Sequence, residues 1–85
     1  MTHELKTWPQ YFDELINDRK MFELRKDDRD FQVGDILMLR EWSPPANDYT
    51  GVEVDRVITF ILRGPEAEQF GLKPGYCILS LEKNP

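Results

Sequence analysis

The sequence predicts a small β-barrel of about five strands, a mainly β (α+β) fold with one covering helix after the first strand. Short segments that alternate apolar and polar residues recur along the chain, and glycine- and proline-containing turns separate them. The 85 residues suffice for one modest core, so residues 1–85 are expected to form a single domain. So many strands in so short a chain favour a sheet that closes on itself to hide its edges. An open α+β sheet with the helix on one face is the alternative.

The first half of the chain predicts two strands around a helix. Residues 3–7 alternate and form the first strand. Pro9 fits the first turn of a helix, where its missing N–H is not needed, and apolar residues at helical spacing extend this helix over residues 9–18. Residues 21–26 form the second strand, and residues 27–30 a charged turn. The aromatic residues at this helix, Trp8 and Phe12, are expected to pack it onto the barrel.

The second half predicts three further strands. A turn at Gly34 leads into a strand over residues 36–42, and residues 43–51, which contain two prolines, form an irregular loop. The longest strand covers residues 52–63. The remaining elements are one helical turn over residues 66–70 and a closing strand over residues 76–82. On the longest strand, one face is predicted to carry Val52, Val54, Ile58, Phe60 and Leu62, interrupted by Arg56.

The second strand has an apolar face and a charged face. Phe22 and Leu24 project from one side and are expected to serve the core, whereas Glu23 and Arg25 project from the other. Lys20 stands at the entrance to this strand. Lys20 and Arg25 can hold a phosphate or a base carbonyl, and Glu23 can accept hydrogen bonds from an exocyclic amine. The alternative is a salt-bridged polar face without a ligand, worth under about 1 kcal/mol if exposed.

Composition limits the classes of function. The net charge of −5 argues against strong non-specific binding to a phosphate backbone and favours a local pocket. No apolar run approaches the roughly 18–20 residues of a membrane span, and no signal peptide is recognisable, so we expect a cytoplasmic protein without a membrane partner. The single cysteine, Cys77, is expected to be a packed thiol. With His3 as the single histidine, neither a Ser-His-Asp triad, a metal site nor a cofactor is expected.

The segment Asp18-Arg19-Lys20-Met21-Phe22-Glu23-Leu24-Arg25 resembles the Gly-x-Lys-x-x-Glu-x-Arg signature of the ASCH (activating-signal-cointegrator homology) domains of the PUA-like superfamily. The chain is most similar to a short bacterial and phage branch of that superfamily, a domain of unknown function. Val33-Gly34-Asp35, Tyr49-Thr50-Gly51 and residues 71–76 extend the resemblance in the expected order. It implies a PUA-like β-barrel that binds RNA or a nucleotide in the cleft beside the signature.

Two residues depart from the patterns of these relatives. Asp18 stands where the signature has glycine, which is expected to alter the exit of the helix. Glu23 stands where similar small amidohydrolases of acetylated cytidine carry a threonine that is taken as the nucleophile. The leading hypothesis is therefore an RNA- or nucleotide-binding module that uses Lys20, Glu23 and Arg25. The alternatives are an amidohydrolase-type enzyme with Lys20 and Glu23 as catalytic residues, or an acidic protein-interaction domain.

Further ligand contacts are predicted from neighbouring strands. Arg40, Glu41 and Arg56 are candidates to line the same cleft. Tyr49 and Trp42 flank the proline-rich loop, and aromatic side chains near a basic cleft can stack on bases. The predicted ligand set is therefore Lys20, Glu23, Arg25, Arg40, Glu41 and Tyr49.

Overall fold

The computed structural model describes residues 1–85, which form five strands and two short helices. The elements are β1 (Thr2–Thr7), α1 (Pro9–Ile16), β2 (Phe22–Lys26), β3 (Ile36–Ser43), β4 (Asp48–Leu62), α2 (Gly64–Gln69) and β5 (Tyr76–Lys83). The predicted fold class, a small β-barrel type of sheet with a helix after the first strand, is confirmed. Neither helix has the length and apolar character needed to cross a lipid bilayer.

The five strands form one curled half-barrel sheet in the order β1-β3-β4-β5-β2. β1 pairs with β3 in parallel, and the other neighbouring pairs are antiparallel. β1 and β2 are therefore the two edges, and we call the gap between them the seam. Arg25 Nη2 donates to the carbonyl of Lys6 at 2.7 Å, and Arg29 Nη1 donates to the carbonyl of Glu4 at 2.7 Å. Side chains, rather than a backbone ladder, connect the two edges across the seam.

Inward-facing residues of the strands form one apolar core. Every second residue of β1 and β5 is buried, as the alternation of the sequence predicts. Phe12 and Leu15 are the buried residues of α1 and face the sheet. This confirms the predicted packing of Phe12. Cys77 is fully buried, and desolvation raises the pKa of its thiol. The predicted packed thiol is thus confirmed. The core cluster comprises Leu5, Leu15, Phe31, Leu37, Leu39, Ile58, Cys77, Leu79 and Leu81.

The predicted irregular loop over residues 43–51 is wrong. Trp42 pairs with Tyr49, and Ser43 pairs with Asp48, so β3 and β4 form a hairpin. The connection is a four-residue turn, in which the backbone N–H of Asn47 donates to the carbonyl of Pro44 at 3.2 Å. Pro45 occupies the second position of this turn, where the fixed φ of proline is favoured. The prolines therefore make a tight turn rather than a long loop.

The predicted apolar face of the longest strand is interrupted by a bulge. The register between β4 and β5 shifts between Ile58 and Phe60. One extra residue exchanges the inward and outward sides of a strand. Ile58 is accordingly buried, Phe60 is 59% exposed, and Ile61 packs against the core instead. The expectation that Phe60 and Leu62 share the face of Ile58 is wrong for this reason.

A buried polar contact ties the start of β1 to the turn before β3. His3 Nε2 lies 2.8 Å from Asp35 Oδ2, and the backbone N–H of Gln32 donates to the same oxygen at 3.1 Å. The hydrogen bond with His3, together with that of Gln32, holds the pKa of Asp35 below its ordinary value against the opposing effect of burial. The ionised carboxylate is thus favoured by the fold.

Asp35→Asn is expected to remove part of the acid sensitivity of the protein. Because the folded-state pKa lies below the unfolded-state pKa, Asp35 stabilises the fold above about pH 3.9, and this contribution is lost as the pH falls through the folded-state value. Thermal unfolding should therefore show the largest gap between wild type and Asp35→Asn at neutral pH, narrowing in acid. The exposed Glu68 provides the control Glu68→Gln. Parallel pH curves for wild type and Asp35→Asn would contradict this assignment.

Candidate functional site

An open cleft of about 520 Å³ lies at the seam, between the end of β1, the start of α1 and the edge of β2. β1 contributes its last two residues, α1 contributes an aromatic residue from its first turn, and β2 contributes four consecutive positions. The lining residues are Lys6, Thr7, Trp8, Tyr11, Lys20, Phe22, Glu23, Leu24 and Arg25. The three charged residues predicted from the signature segment are therefore brought together in one cleft.

β2 faces the opposite way from its prediction. Glu23 is 3% exposed, whereas Phe22 and Leu24 are 47% and 55% exposed. Glu23 pairs with Leu79 in β5, and cross-strand neighbours share one face of a sheet. Because Leu79 belongs to the core, Glu23 must point inward as well. The expectation that Phe22 and Leu24 serve the core is wrong, and the charged face of β2 is the inner one.

Glu23 is held between two cations at the wall of the cleft. Lys20 Nζ contacts Glu23 Oε1, and Arg25 Nε donates to Glu23 Oε2 at 2.8 Å. Lys20 Nζ also donates to the carbonyl of Phe22 at 2.8 Å. Each oxygen of an ionised carboxylate accepts two hydrogen bonds, so both oxygens of Glu23 keep acceptor capacity. The three side chains together carry one net positive charge.

The turn between α1 and β2 sets the position of Lys20. Asp18 has a φ of 58°, in the left-handed region that glycine adopts without strain and that Asp and Asn tolerate better than other residues. Lys83 Nζ lies 2.9 Å from Asp18 Oδ2. Glycine would adopt this φ without strain. Asp18 can therefore replace glycine at the end of the helix, because aspartate tolerates this φ and its carboxylate pairs with Lys83.

Aromatic side chains form the apolar walls of the cleft. Trp8 is 52% exposed and Tyr11 is 50% exposed, and both line the cleft together with Phe22. The expectation that Trp8 only packs α1 onto the barrel is wrong. Trp8 precedes the helix, and about half of its surface remains exposed to solvent in the cleft. The available signal for this wall was the placement of the aromatic residues Trp8 and Tyr11 at the junction of β1 and α1.

Thr7 contributes a buried hydroxyl to the cleft lining. The residue is 3% exposed, and its Oγ1 has no hydrogen-bond partner. The alternation of β1 predicts an inward side chain at this position, but it carries no information on hydrogen bonding. A buried hydroxyl without a partner lowers stability by about 1–3 kcal/mol.

Thr7→Val is expected to leave the free energy of unfolding unchanged or to raise it by up to about 1 kcal/mol, because valine removes the unpaired hydroxyl at similar size. Denaturant unfolding measures the change. Thr50→Val is the control, since Thr50 Oγ1 donates to Glu41 Oε1 at 2.8 Å and its loss should not stabilise the fold. A clear loss of stability in Thr7→Val would show that the hydroxyl has a partner in solution.

Comparison with known proteins places the chain in a family. Residues 2–81 match the model described as Domain of unknown function (DUF3850). The chain belongs to the DUF3850 family. This DUF3850 domain is also 40% identical over 57 residues to an uncharacterized 12.9 kDa protein in the GpA 3′ region of Escherichia phage P2. The match covers 67% of this chain and 50% of the phage protein, so the chain spans about half the length of that relative.

Other predicted ligand residues of the DUF3850 domain lie outside the cleft. Arg40 Cζ stands 3.8 Å from the ring centroid of Tyr49, and Lys6 Nζ stands 3.9 Å from that of Trp42. The rings of Trp42 and Tyr49 meet edge to face at 5.0 Å. These four residues form a cation–aromatic cluster on β1 and the β3–β4 hairpin, which meets the cleft only at Lys6. A ligand-binding role for Arg40 and Tyr49 stays a prediction.

Glu41 and Arg56 also do not line the cleft of the DUF3850 domain. Glu41 accepts its hydrogen bond from Thr50 at the β3–β4 hairpin, and its predicted role in ligand binding is likewise untested. Arg56 is 5% exposed, and its Nη2 donates to the carbonyl of Leu15 at 3.1 Å. Arg56 therefore connects the sheet to the end of α1 rather than facing the cleft.

Proposed function

We propose that this DUF3850 domain binds RNA, or a nucleotide within it, by holding one base in the cleft at the seam. The observation that carries the proposal is the buried carboxylate of Glu23 between Lys20 and Arg25 at an open cleft. Desolvating an ion pair opposes folding by several kcal/mol per ion, and apolar residues of similar volume often stabilise a fold at least as well. Recognition of a ligand accounts for this charge arrangement better than stability does.

The hydrogen-bonding groups of the cleft match the edge of a base. Lys20 and Arg25 donate to a base carbonyl, while the free acceptor positions of Glu23 receive an exocyclic amine. Cytosine and guanine carry both groups, whereas uracil lacks the amine. The half-exposed rings of Trp8 and Tyr11 supply apolar surface on which a base can stack. The net charge of −5 favours such a local site over a broad phosphate-binding surface.

The resemblance of residues 18–25 to the ASCH signature supports the same proposal, since it implies a PUA-like domain that binds RNA or nucleotides. An amidohydrolase role is less well supported. Glu23 replaces the nucleophilic threonine of the similar hydrolases, and a carboxylate is a poor nucleophile for amide hydrolysis. Thr7 places a hydroxyl in the cleft lining, but Lys20 does not bond to it. A hydroxyl activated by this lysine is therefore not assembled.

Isothermal titration calorimetry with cytidine, guanosine, uridine and a short single-stranded RNA tests the proposal. We expect cytidine and guanosine to bind more tightly than uridine. Lys20→Ala combined with Arg25→Ala should abolish binding, and Lys20→Gln, which leaves Arg25 as a partner of Glu23, should weaken it without unfolding the protein. The control pair is Arg19→Gln with Lys73→Ala, which removes two exposed charges elsewhere.

Two results would count against this function. Unchanged affinity in the Lys20 and Arg25 variants would show that any RNA binding lies elsewhere on the surface. Absence of binding to every nucleoside and to the RNA, with the protein folded by circular dichroism, would leave a protein-interaction role as the better explanation. If the protein hydrolysed acetylated cytidine and Glu23→Gln abolished this activity, the amidohydrolase role would be favoured instead.

A further inference from the structure

The seam continues beyond the cleft into a second, smaller cavity. This cavity has a volume of about 160 Å³ and lies between β1 and the segment that follows β2. Arg25 lines both cavities and therefore stands at their junction. The lining residues are Leu5, Arg25, Lys26, Asp28, Arg29 and Phe31.

The second cavity carries a local excess of positive charge on an acidic protein. Asp28 is the one carboxylate among its lining residues, against three cations. Arg25 is already paired with Glu23 at 2.8 Å, but Lys26 and Arg29 have no carboxylate oxygen within the 4.0 Å that defines an ion pair. Asp27, which follows Lys26 in the chain, pairs with Arg63 at 3.0 Å instead. Lys26 and Arg29 thus form no ion pair beside the seam, where Asp28 is the one carboxylate of the cavity lining.

The backbone of β1 fixes where these cations stand. Arg25 donates to the carbonyl of Lys6 and Arg29 to that of Glu4. Residues two positions apart in a strand are separated by about 6.6 Å, so the two guanidinium groups follow the seam at a similar interval. A ribose ring can bridge an interval of this size. Arg29 uses one of its five N–H groups on Glu4, which leaves donors for a bidentate contact with an anion.

We propose that Lys26 and Arg29 form a phosphate subsite next to the cleft. The base occupies the cleft, the sugar passes Arg25, and a phosphate meets the two unpaired cations. This inference rests on the proposed function and deepens it, because it makes the ligand a nucleotide rather than a nucleoside. A free nucleoside monophosphate and a phosphodiester of RNA present the same chemistry to this subsite.

Calorimetry with cytidine, cytidine 5′-monophosphate, cytidine 3′-monophosphate and inorganic phosphate tests the subsite, with the guanosine compounds in parallel. One of the two monophosphates should bind at least tenfold more tightly than its nucleoside at low salt, and this advantage should shrink as salt rises. Lys26→Ala combined with Arg29→Gln should reduce the monophosphate to the affinity of the nucleoside, while the nucleoside itself is unaffected. Glutamine is shorter than arginine, so this variant also loses the hydrogen bond to the Glu4 carbonyl, and circular dichroism checks that it remains folded. Arg19→Gln with Lys73→Ala is the matched control.

The outcomes separate the two proposals. Equal affinity for nucleoside and monophosphates, or an advantage that survives in the Lys26 and Arg29 variant, would overturn the subsite and leave the base cleft standing. Failure of the nucleosides, monophosphates and RNA alike to bind would overturn the proposed function, and the subsite with it. Where the subsite is supported, a trinucleotide that binds more tightly than the monophosphate identifies RNA as the source, and equal binding identifies the free nucleotide.

Discussion

Glu23→Gln is expected to weaken nucleoside binding roughly 100-fold, because loss of a charged partner in a desolvated hydrogen bond is worth about 3 kcal/mol. Glutamine keeps the size of the side chain but exchanges one acceptor oxygen for a donor. The free energy of unfolding should also fall by about 2–3 kcal/mol, since Lys20 and Arg25 lose their shared carboxylate while remaining half-buried. Calorimetry and denaturant unfolding measure the two effects.

Glu41→Gln is the matched control for this substitution. Glu41 is half-buried but outside the cleft, so its substitution should leave nucleoside affinity unchanged. If Glu23→Gln reduced stability but left affinity intact, the carboxylate would only organise the edge of the sheet. If Glu41→Gln reduced affinity as much, the ligand site would extend to the β3–β4 hairpin.

Arg56→Met is expected to reduce the free energy of unfolding by about 1.5–3 kcal/mol, the range for hydrogen bonds made by a charged group. The guanidinium donates to the carbonyl of Leu15 at 3.1 Å and to that of Asp55 at 2.8 Å, and it lies 3.8 Å from Asp18. Methionine fills similar space but removes both hydrogen bonds, and the Leu15 carbonyl then keeps only the bond from the backbone N–H of Asp18 at 3.2 Å. Denaturant unfolding measures the loss.

Arg40→Met provides the comparison for Arg56→Met. Arg40 is 31% exposed and makes looser ion pairs, at 3.5 Å and 3.9 Å, so its substitution should change stability by less than about 1 kcal/mol. A loss for Arg56→Met no larger than that for Arg40→Met would show that the end of α1 does not depend on the guanidinium. A selective loss would identify Arg56 as the connection between helix and sheet.

Much of the fold was predictable because several of its elements follow a local sequence period. Leu5 points inward because β1 alternates apolar and polar residues, and Phe12 and Leu15 are buried because they recur at helical spacing. Both patterns can be read from a short stretch of sequence. The bulge after Ile58 was not predictable from period alone, because a single extra residue leaves the composition of the strand unchanged. The hairpin turn at Pro44 was also missed, since prolines suit both loops and tight turns.

Three of the six predicted ligand residues, Lys20, Glu23 and Arg25, lie together in the cleft, but their orientation was not predicted. The spacing of Lys20, Glu23 and Arg25 indicated a shared location, which the structure has. Apolar character alone assigned Phe22 and Leu24 to the core, whereas pairing of Glu23 with Leu79 in β5 turns the carboxylate inward. Strand pairing is a long-range property, and a single sequence carries little information on it. Functional sites are where local hydrophobicity and final orientation are expected to disagree.

The way in which the sheet is joined at the seam has a consequence for its dynamics. A ladder of backbone hydrogen bonds separates only when several bonds break together, whereas the exposed Arg29 needs only a change of rotamer to release its single hydrogen bond across the seam. Rotamer changes of exposed side chains take picoseconds to nanoseconds, far faster than collective movements of strands. The width of the gap between β1 and β2 can therefore fluctuate while the core stays intact. Substitutions at Arg25 and Arg29 would then tune the size of the molecule admitted without redesigning the sheet.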